Sequence, residues 1–230
     1  APLPGRTNPP FPGGRIPADA EGFIDLTELE SQLRAYNEQR LYGNKRIRLV
    51  ALSGASNVLG SCNNLPEISR IVHQYGARLL VDAAQLVAHR MVEMEKWGID
   101  YLAFSAHKFY APFGSGALVA RKGLLAYNSE EMEIIRASGE ENTTGIAALG
   151  KALVLLQRVG MEVIREEEHV LTERLLRGLQ QVDGLTIYGM QDPDSPAFSR
   201  KVGVVVFSLQ KMMANGVAAE LALRGGIGVR

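Results

Sequence analysis

The sequence predicts an α/β protein built on a mixed, mostly parallel sheet, with a smaller α+β unit behind it. Three observations carry that expectation. Short apolar runs at residues 47–52, 78–82, 101–105 and 116–120 read as buried strands. A segment with helical spacing lies between the first two, and a strand–helix–strand order implies parallel pairing through a right-handed crossover. After Gly139 the pattern changes to two long helical segments followed by two short strands and a last helix. The link between the strands at 101–105 and 116–120 is too short for a crossover helix, so one of them is expected to run antiparallel.

The elements follow from local chemistry. The first fifteen residues are rich in Pro and Gly and predict an irregular lead-in. Asp25 fits a helix N-cap, with Glu28 three residues on as its capping-box partner. Leu26, Leu29, Leu33 and Tyr36 then share one face, and Gly43-Asn44 is the expected stop. Asn64 and Pro66 mark a second start; Ile68, Ile71, Val72 and Tyr75 fall at helical spacing, and Gly76 ends it. Beyond Gly139, helices are expected over 143–158, 161–182 and 214–223, with strands over 186–188 and 202–208. The expected division is residues 1–159 for the larger domain and 160–230 for the smaller, entered near Gly160.

Composition narrows the function classes. Of 230 residues, 46% are hydrophobic and 22% charged, ordinary for a globular chain. Lys+Arg and Asp+Glu balance at 25 each, so no overall field argues for nucleic acid or an anionic membrane as partner. No apolar run reaches the roughly 18–20 residues that span a bilayer. The opening APLPGRTNPPFPGG has no apolar core of a signal peptide. A lone cysteine, Cys62, excludes an internal disulfide and a multi-cysteine metal site. The four histidines lack metal-ligand spacing. A cytoplasmic protein is the expectation.

The expected strands end in polar residues: Ser53 with a loop to Asn57, Asp82 with Gln85, and Ser105 with His107-Lys108. In open α/β sheets ligands bind outside the carboxyl ends of the strands. One pocket would therefore collect amides, a carboxylate, a hydroxyl, an imidazole and an amine. Taken singly, an Asp after a strand is commonly a turn residue and a Lys is commonly solvated surface. Together they match one chemistry. Lys108 can hold an aldehyde cofactor as a Schiff base and return as the base that moves a substrate Cα proton. Asp82 can keep the cofactor's pyridine nitrogen protonated. Gln85 suits the phenolic oxygen, Ser105 and His107 the phosphate, and Asn57 the phenolic oxygen or a substrate carboxylate.

The segments SGASNVLG (53–60), VDAAQLVAH (81–89) and FSAHKFYAPFGSGAL (104–118) resemble the class V aminotransferase family, most closely its cysteine desulfurase and selenocysteine lyase branch. The likeness continues through ALGKAL (148–153), the long helices and GGIGVR (225–230). It implies the pyridoxal-phosphate-dependent transferase fold of type I, with pyridoxal 5′-phosphate as cofactor and an amino acid as substrate. It also implies a homodimer with its active site at the subunit interface, and a sulfur acceptor protein if the reaction is desulfuration. By resemblance Lys108 is the Schiff-base lysine, Asp82 the pyridinium partner and Gln85 the phenolate partner. Ser105 and His107 become phosphate ligands, Asn57 lies beside the cofactor and substrate, and Arg230 falls at a position near the substrate.

Departures from the family pattern set further expectations. The resemblance implies that the early strands, the phosphate-binding turn and the ring-stacking imidazole lie upstream of Ala1. It places the loop with the catalytic cysteine, and a carboxylate-gripping arginine, beyond Arg230. Gly139-Glu140-Glu141-Asn142 stands where many members have Gly-Thr-Pro, and Glu140 would repel a phosphate it faced. The link over 122–136 is shorter than in many relatives. These features suggest a fragment of a longer enzyme.

Transamination and epimerisation start from the same Cα carbanion and are the alternatives within the family. A non-catalytic truncated homologue is a third reading. A nucleotide-dependent oxidoreductase would need a glycine fingerprint that the chain lacks. Cys62 reads as a small buried hydrophobe, His89 as a packing or hydrogen-bonding residue, and His73 and His169 as partly solvated. Glu166, Glu167 and Glu168 read as a solvated helix face, and Met212-Met213 as core or turn.

Overall fold

Four strands of five residues make the main sheet: β1 (Leu49–Ser53), β2 (Arg78–Asp82), β3 (Tyr101–Ser105) and β4 (Gly116–Ala120), side by side in that order. The computed structural model describes residues 14–112, 114–137, 139 and 142–230. β1, β2 and β3 are parallel, and β4 returns antiparallel to β3. Helices α1 (Leu26–Leu33), α2 (Leu65–Gln74) and α3 (Leu86–His89) precede or link these strands. The ten residues between β3 and β4 hold only a 3-10 turn, Ala106–Phe109, which is why the fourth strand cannot be parallel. Helix α4 (Ser129–Ala137) leads to the long helices α5 (Thr143–Val159) and α6 (Met161–Leu179). A separate antiparallel pair, β5 (Leu185–Tyr188) and β6 (Val206–Leu209), precedes α7 (Ala214–Gly225).

The starts of α1 and α5 have a visible cause. Asp25 Oδ1 accepts from Glu28 N–H at 3.0 Å, but the reciprocal half of the box does not form; Glu28 Oε1 accepts instead from Gln32 Nε2 at 2.9 Å. Asn142 Oδ1 accepts from Gly145 N–H at 2.9 Å and starts α5. The apolar stripes then bury as their spacing requires. Leu29 and Leu33 of α1, Ile68, Ile71 and Val72 of α2, and Leu149, Ala152 and Leu156 of α5 join Val50, Leu79, Val81 and Leu102 of the sheet in one core. Phe23, Leu176, Ile187, Met190 and Phe198 form a second, smaller one.

Four elements differ from expectation. The first strand begins at Leu49, because Ile47 pairs through both backbone groups with the Asn37 side chain, at 2.8 Å each way. That amide belongs to a π-helical turn, Arg34–Glu38, which ends the first helix before Gly43. Helix α4 lies largely inside the 122–136 link, for which no element was expected, and its start is closed by a reciprocal pair of 2.8 Å bonds between Asn128 and Glu131. The Asn-x-x-Glu spacing was there to be read. Finally, β6 starts at Val206 because Val202 is already engaged with Gly60. Met212 closes the turn after β6, its N–H on Leu209 O at 3.3 Å, and Met213 is the N-cap of α7.

The main sheet is closed at its amino end by Asp100, which is 0% exposed. Its Oδ2 accepts from Leu79 N–H at 2.8 Å and from His73 Nε2 at 2.7 Å. Arg121 Nη2 sits 2.9 Å from Oδ1, close enough for charge pairing though poorly angled for a hydrogen bond. Asp100→Ala strands the Leu79 N–H in the core. We expect a loss of about 2–3 kcal/mol, read as a lower denaturation midpoint with an unchanged m-value. A midpoint equal to wild type would refute this role.

Candidate active site

The parallel register brings the expected residues to one end of the sheet. Ser53 at the end of β1 is opposite Asp82 at the end of β2, and Asp82 is opposite Ala103, two residues before Ser105 closes β3. The turns leaving these strands carry the rest. Gln85 stands at the N-cap of α3, and His107 and Lys108 lie in the 3-10 turn after Ser105. In a 3-10 turn residues three apart eclipse, and Ala106 and Phe109 are both buried here. Phe109 also packs on Phe104, with ring centroids 5.3 Å apart. His107 is therefore exposed and Lys108 half-buried at the rim. Tyr110 ends the turn in the left-handed region, φ 64°.

The groups are held without being consumed. Asp82 is exposed and uses Oδ1 to accept from Ala84 N–H at 3.0 Å; Oδ2 has no protein donor among the described residues. Lys108 makes no ion pair or hydrogen bond among the described residues, so its amine is uncommitted. Asn57 sits in the exposed turn after β1, whose Val58 and Leu59 amides donate to Ser56 Oγ at 3.2 and 3.0 Å. Gly54 must be glycine for α3 to close on β1, since a Cβ there would lie 2.9 Å from Leu86 Cδ2. The Gly114-Ser115-Gly116 stretch does structural service. Ser115 Oγ donates to Gly145 O at 3.0 Å and Asn142 Nδ2 to Gly114 O at 3.1 Å, pinning the loop to the start of α5.

Arg230 is exposed at the end of the stretch after α7, and no hydrogen bond or ion pair among the described residues ties it to the strand ends. Glu140 lies outside the described residues. Cys62 is buried, and burial pushes its thiol up to about 11, so it is a poor nucleophile at neutral pH. Ser69, His73 and Asp100 line up like a hydrolytic triad, but buried Ser69 Oγ donates to Gly98 O at 2.8 Å and its 3.5 Å contact with His73 is too long to activate it.

One expectation about a charged face is corrected. Glu168 is not solvated; its side chain is 14% exposed, with Oε2 2.5 Å from Arg90 Nη1 and Oε1 2.6 Å from His89 Nδ1. Arg90 also donates to the carbonyls of His89 and Lys201. Glu166 and Glu167 do remain exposed. This network joins the end of α3 to α6 and to residues 201–203, and Lys201 within it is buried as well. Sequence reasoning missed it because the partners are 78 and 111 residues apart. His169, on the next position of α6, packs on Phe198 with centroids 4.7 Å apart.

Comparison with other proteins bears on the family and the fold. The family described as Aminotransferase class-V matches residues 14–230. A cysteine desulfurase of Cronobacter sakazakii is 33% identical over 235 residues, covering 94% of this chain and 53% of its own length. One of Escherichia coli O9:H4 gives the same figures. The apo structure of the cysteine desulfurase from Thermococcus onnurineus NA1 superposes with a TM-score of 0.76 at 28% identity, covering 94% of this chain and 55% of that one. The chain thus spans about half the length of the relatives it matches, and its fold is that of the type I pyridoxal-phosphate-dependent transferases. With a match over nearly its whole length, the chain belongs to the class-V aminotransferase family.

Proposed function

We propose that this chain holds pyridoxal 5′-phosphate at the carboxyl ends of β1–β3 and serves cysteine desulfuration. The observation that carries the reading is the convergence of Lys108, Asp82 and Gln85 on adjacent strand ends, each with a polar group left unengaged among the described residues. The class-V aminotransferase family is a pyridoxal-phosphate-dependent one, and the donor set fits that group. Lys108 would hold it through the amine, Asp82 Oδ2 at the ring nitrogen, Gln85 at the phenolic oxygen, and Ser105 and His107 at the phosphate. Asn57 faces the ring edge or substrate, and Arg230 is assigned to the substrate. When bound, the cofactor supplies an electron sink for the bonds at the substrate Cα.

The chain's own chemistry is proton movement and orientation. Lys108 Nζ is the base that takes the Cα proton and returns it. No carboxylate among the described residues pairs with it, so the amine is left to the ligand side of the rim. Ala84 N–H fixes Asp82 Oδ1, which would leave Oδ2 to hold the ring nitrogen and keep it protonated. Cys62 does not accept the sulfur, being buried with a raised pKa. The reading therefore calls for another thiol and a sulfur acceptor protein.

A homodimer fits the surface of α5, where Ile146, Leu153, Val154, Leu155 and Val159 are all exposed. Residues 1–159 and 160–230 are read as portions of the large and small domains, parted at Gly160, whose φ of 91° breaks α5 from α6. No described helix is long and apolar enough to cross a membrane. A cytoplasmic setting, with neither nucleic acid nor membrane as partner, is part of the proposal.

The test is an absorbance spectrum after incubation with pyridoxal phosphate and desalting, with Lys108→Ala alongside. A retained visible band in wild type that is missing from the variant supports the reading. A band of equal strength in both would assign the cofactor to another amine. Sulfide release from cysteine then separates desulfuration from transamination, which yields a keto acid without sulfide.

A further inference from the structure

Residues 200–204 approach β6 by running antiparallel to residues 60–62. Cys62 N–H donates to Arg200 O at 2.7 Å, Val202 N–H donates to Gly60 O at 2.8 Å, and Ser61 and Lys201 form a bridge between them. The approach needs a glycine. Gly60 has a φ of 72°, and a Cβ there would lie 2.9 Å from the carbonyl oxygens of both Val202 and Val204.

Lys201 lies inside this clip, 3% exposed. A buried ammonium is costly unless hydrogen bonds replace its water. Here Nζ donates to Leu59 O at 3.0 Å and Val204 O at 2.8 Å. Burial still lowers its pKa to about 8, a cost that an apolar side chain in the same place would not carry. What Lys201 contributes in return is a link across 142 residues to the turn that carries Asn57. That turn is fastened on one side by Ser56, through the Val58 and Leu59 amides. Lys201 fastens the other side, at the carbonyl of Leu59. Leu59 itself is wedged against Gly22 and Gly189, where added Cβ atoms would come within 2.8 and 3.2 Å of it.

We propose that Lys201 is a positioning residue for Asn57, cross-linking the 56–60 turn to the segment that leads into β6. This rests on the reading above that Asn57 faces the cofactor or substrate. Lys201 touches neither; it sets where the Asn57 amide stands, and it makes the small-sheet segment part of the support for the cofactor end of the main sheet.

The test uses the full chain with Lys201→Met, similar in size but without a donor, and Lys201→Arg, which keeps one. Amide hydrogen exchange at Val58, Leu59 and Gly60, measured without cofactor, reports the fastening. Titration with pyridoxal phosphate reports Asn57. In Lys201→Met, exchange at 58–60 is expected to rise about tenfold and cofactor affinity to fall about tenfold, with α2 amides unchanged and with Lys201→Arg recovering part of both. Adding Lys201→Met to Asn57→Ala is expected to cost no further affinity. Unchanged exchange at 58–60 would overturn the fastening. Additive losses of affinity would overturn the route through Asn57. Wild-type affinity in Asn57→Ala would sink the functional reading of Asn57 and the positioning role with it, whatever the exchange shows. Should Lys201→Met not fold, Lys201→Gln replaces it. One amide can serve one of the two carbonyls, so a smaller rise in exchange is expected, and no rise overturns the proposal.

Discussion

Lys108→Ala is expected to lower sulfide release from cysteine by about a thousandfold, the middle of the range for loss of a positioned base. The argument is geometric. Ala106 and Phe109 anchor the 3-10 turn in the core, so the backbone survives truncation at 108 and only the amine is lost. Global stability should stay within about 0.5 kcal/mol of wild type, as for a rim residue with no partner to strand. A small primary amine added to the assay should restore part of the rate, because the missing group is an amine and the space it leaves is open to solvent. A variant that keeps more than a tenth of wild-type turnover would remove Lys108 from the mechanism. A variant that unfolds would show that the turn depends on the side chain.

Glu168→Ala is expected to destabilise the chain by about 3 kcal/mol near neutral pH. Burial works against the Glu168 carboxylate, yet hydrogen bonds from His89, Arg90 and the Gly203 amide outweigh it and hold the group at about 2, below its ordinary 4.5. A carboxyl depressed in the folded state stabilises above its unfolded pKa, and that contribution is lost as pH falls through the window from 4.5 toward about 2. Wild type should therefore weaken over that window more steeply than the variant. Urea denaturation at pH 7 and pH 3 measures both. Parallel pH dependences in the two proteins would assign the acid sensitivity elsewhere. The variant also leaves Arg90, whose side chain is 11% exposed, without its counter-charge, so the loss should exceed that of an exposed ion pair such as Arg70–Glu67.

The main sheet and the strand-end residues were legible because each depends on a few neighbouring residues. Four short apolar runs, a ten-residue link and a capping pair suffice to predict a mixed, mostly parallel sheet and to leave Asp82, Ser105 and Lys108 at strand ends, while the order β1 to β4 came from the structure. The antiparallel turn of β4 followed from chain length alone. Helix α4 was legible in principle, through Asn128 and Glu131, but a charged nine-residue segment with no buried position gives no apolar stripe to draw attention.

The sequence by itself determined the fold class, the family and the chemical types gathered at the strand ends, since periodicity and turn chemistry act over a few residues. The tertiary structure alone decided which polar groups are spent and which are left to act. Glu168 looked like its solvated neighbours and is a half-buried, fully paired acceptor, because Arg90 arrives from 78 residues away. Lys201 is buried on Leu59, because the chain folds back across 142 residues. Desolvation and pairing are set by what packs against a group in space, and one-dimensional spacing carries no record of that.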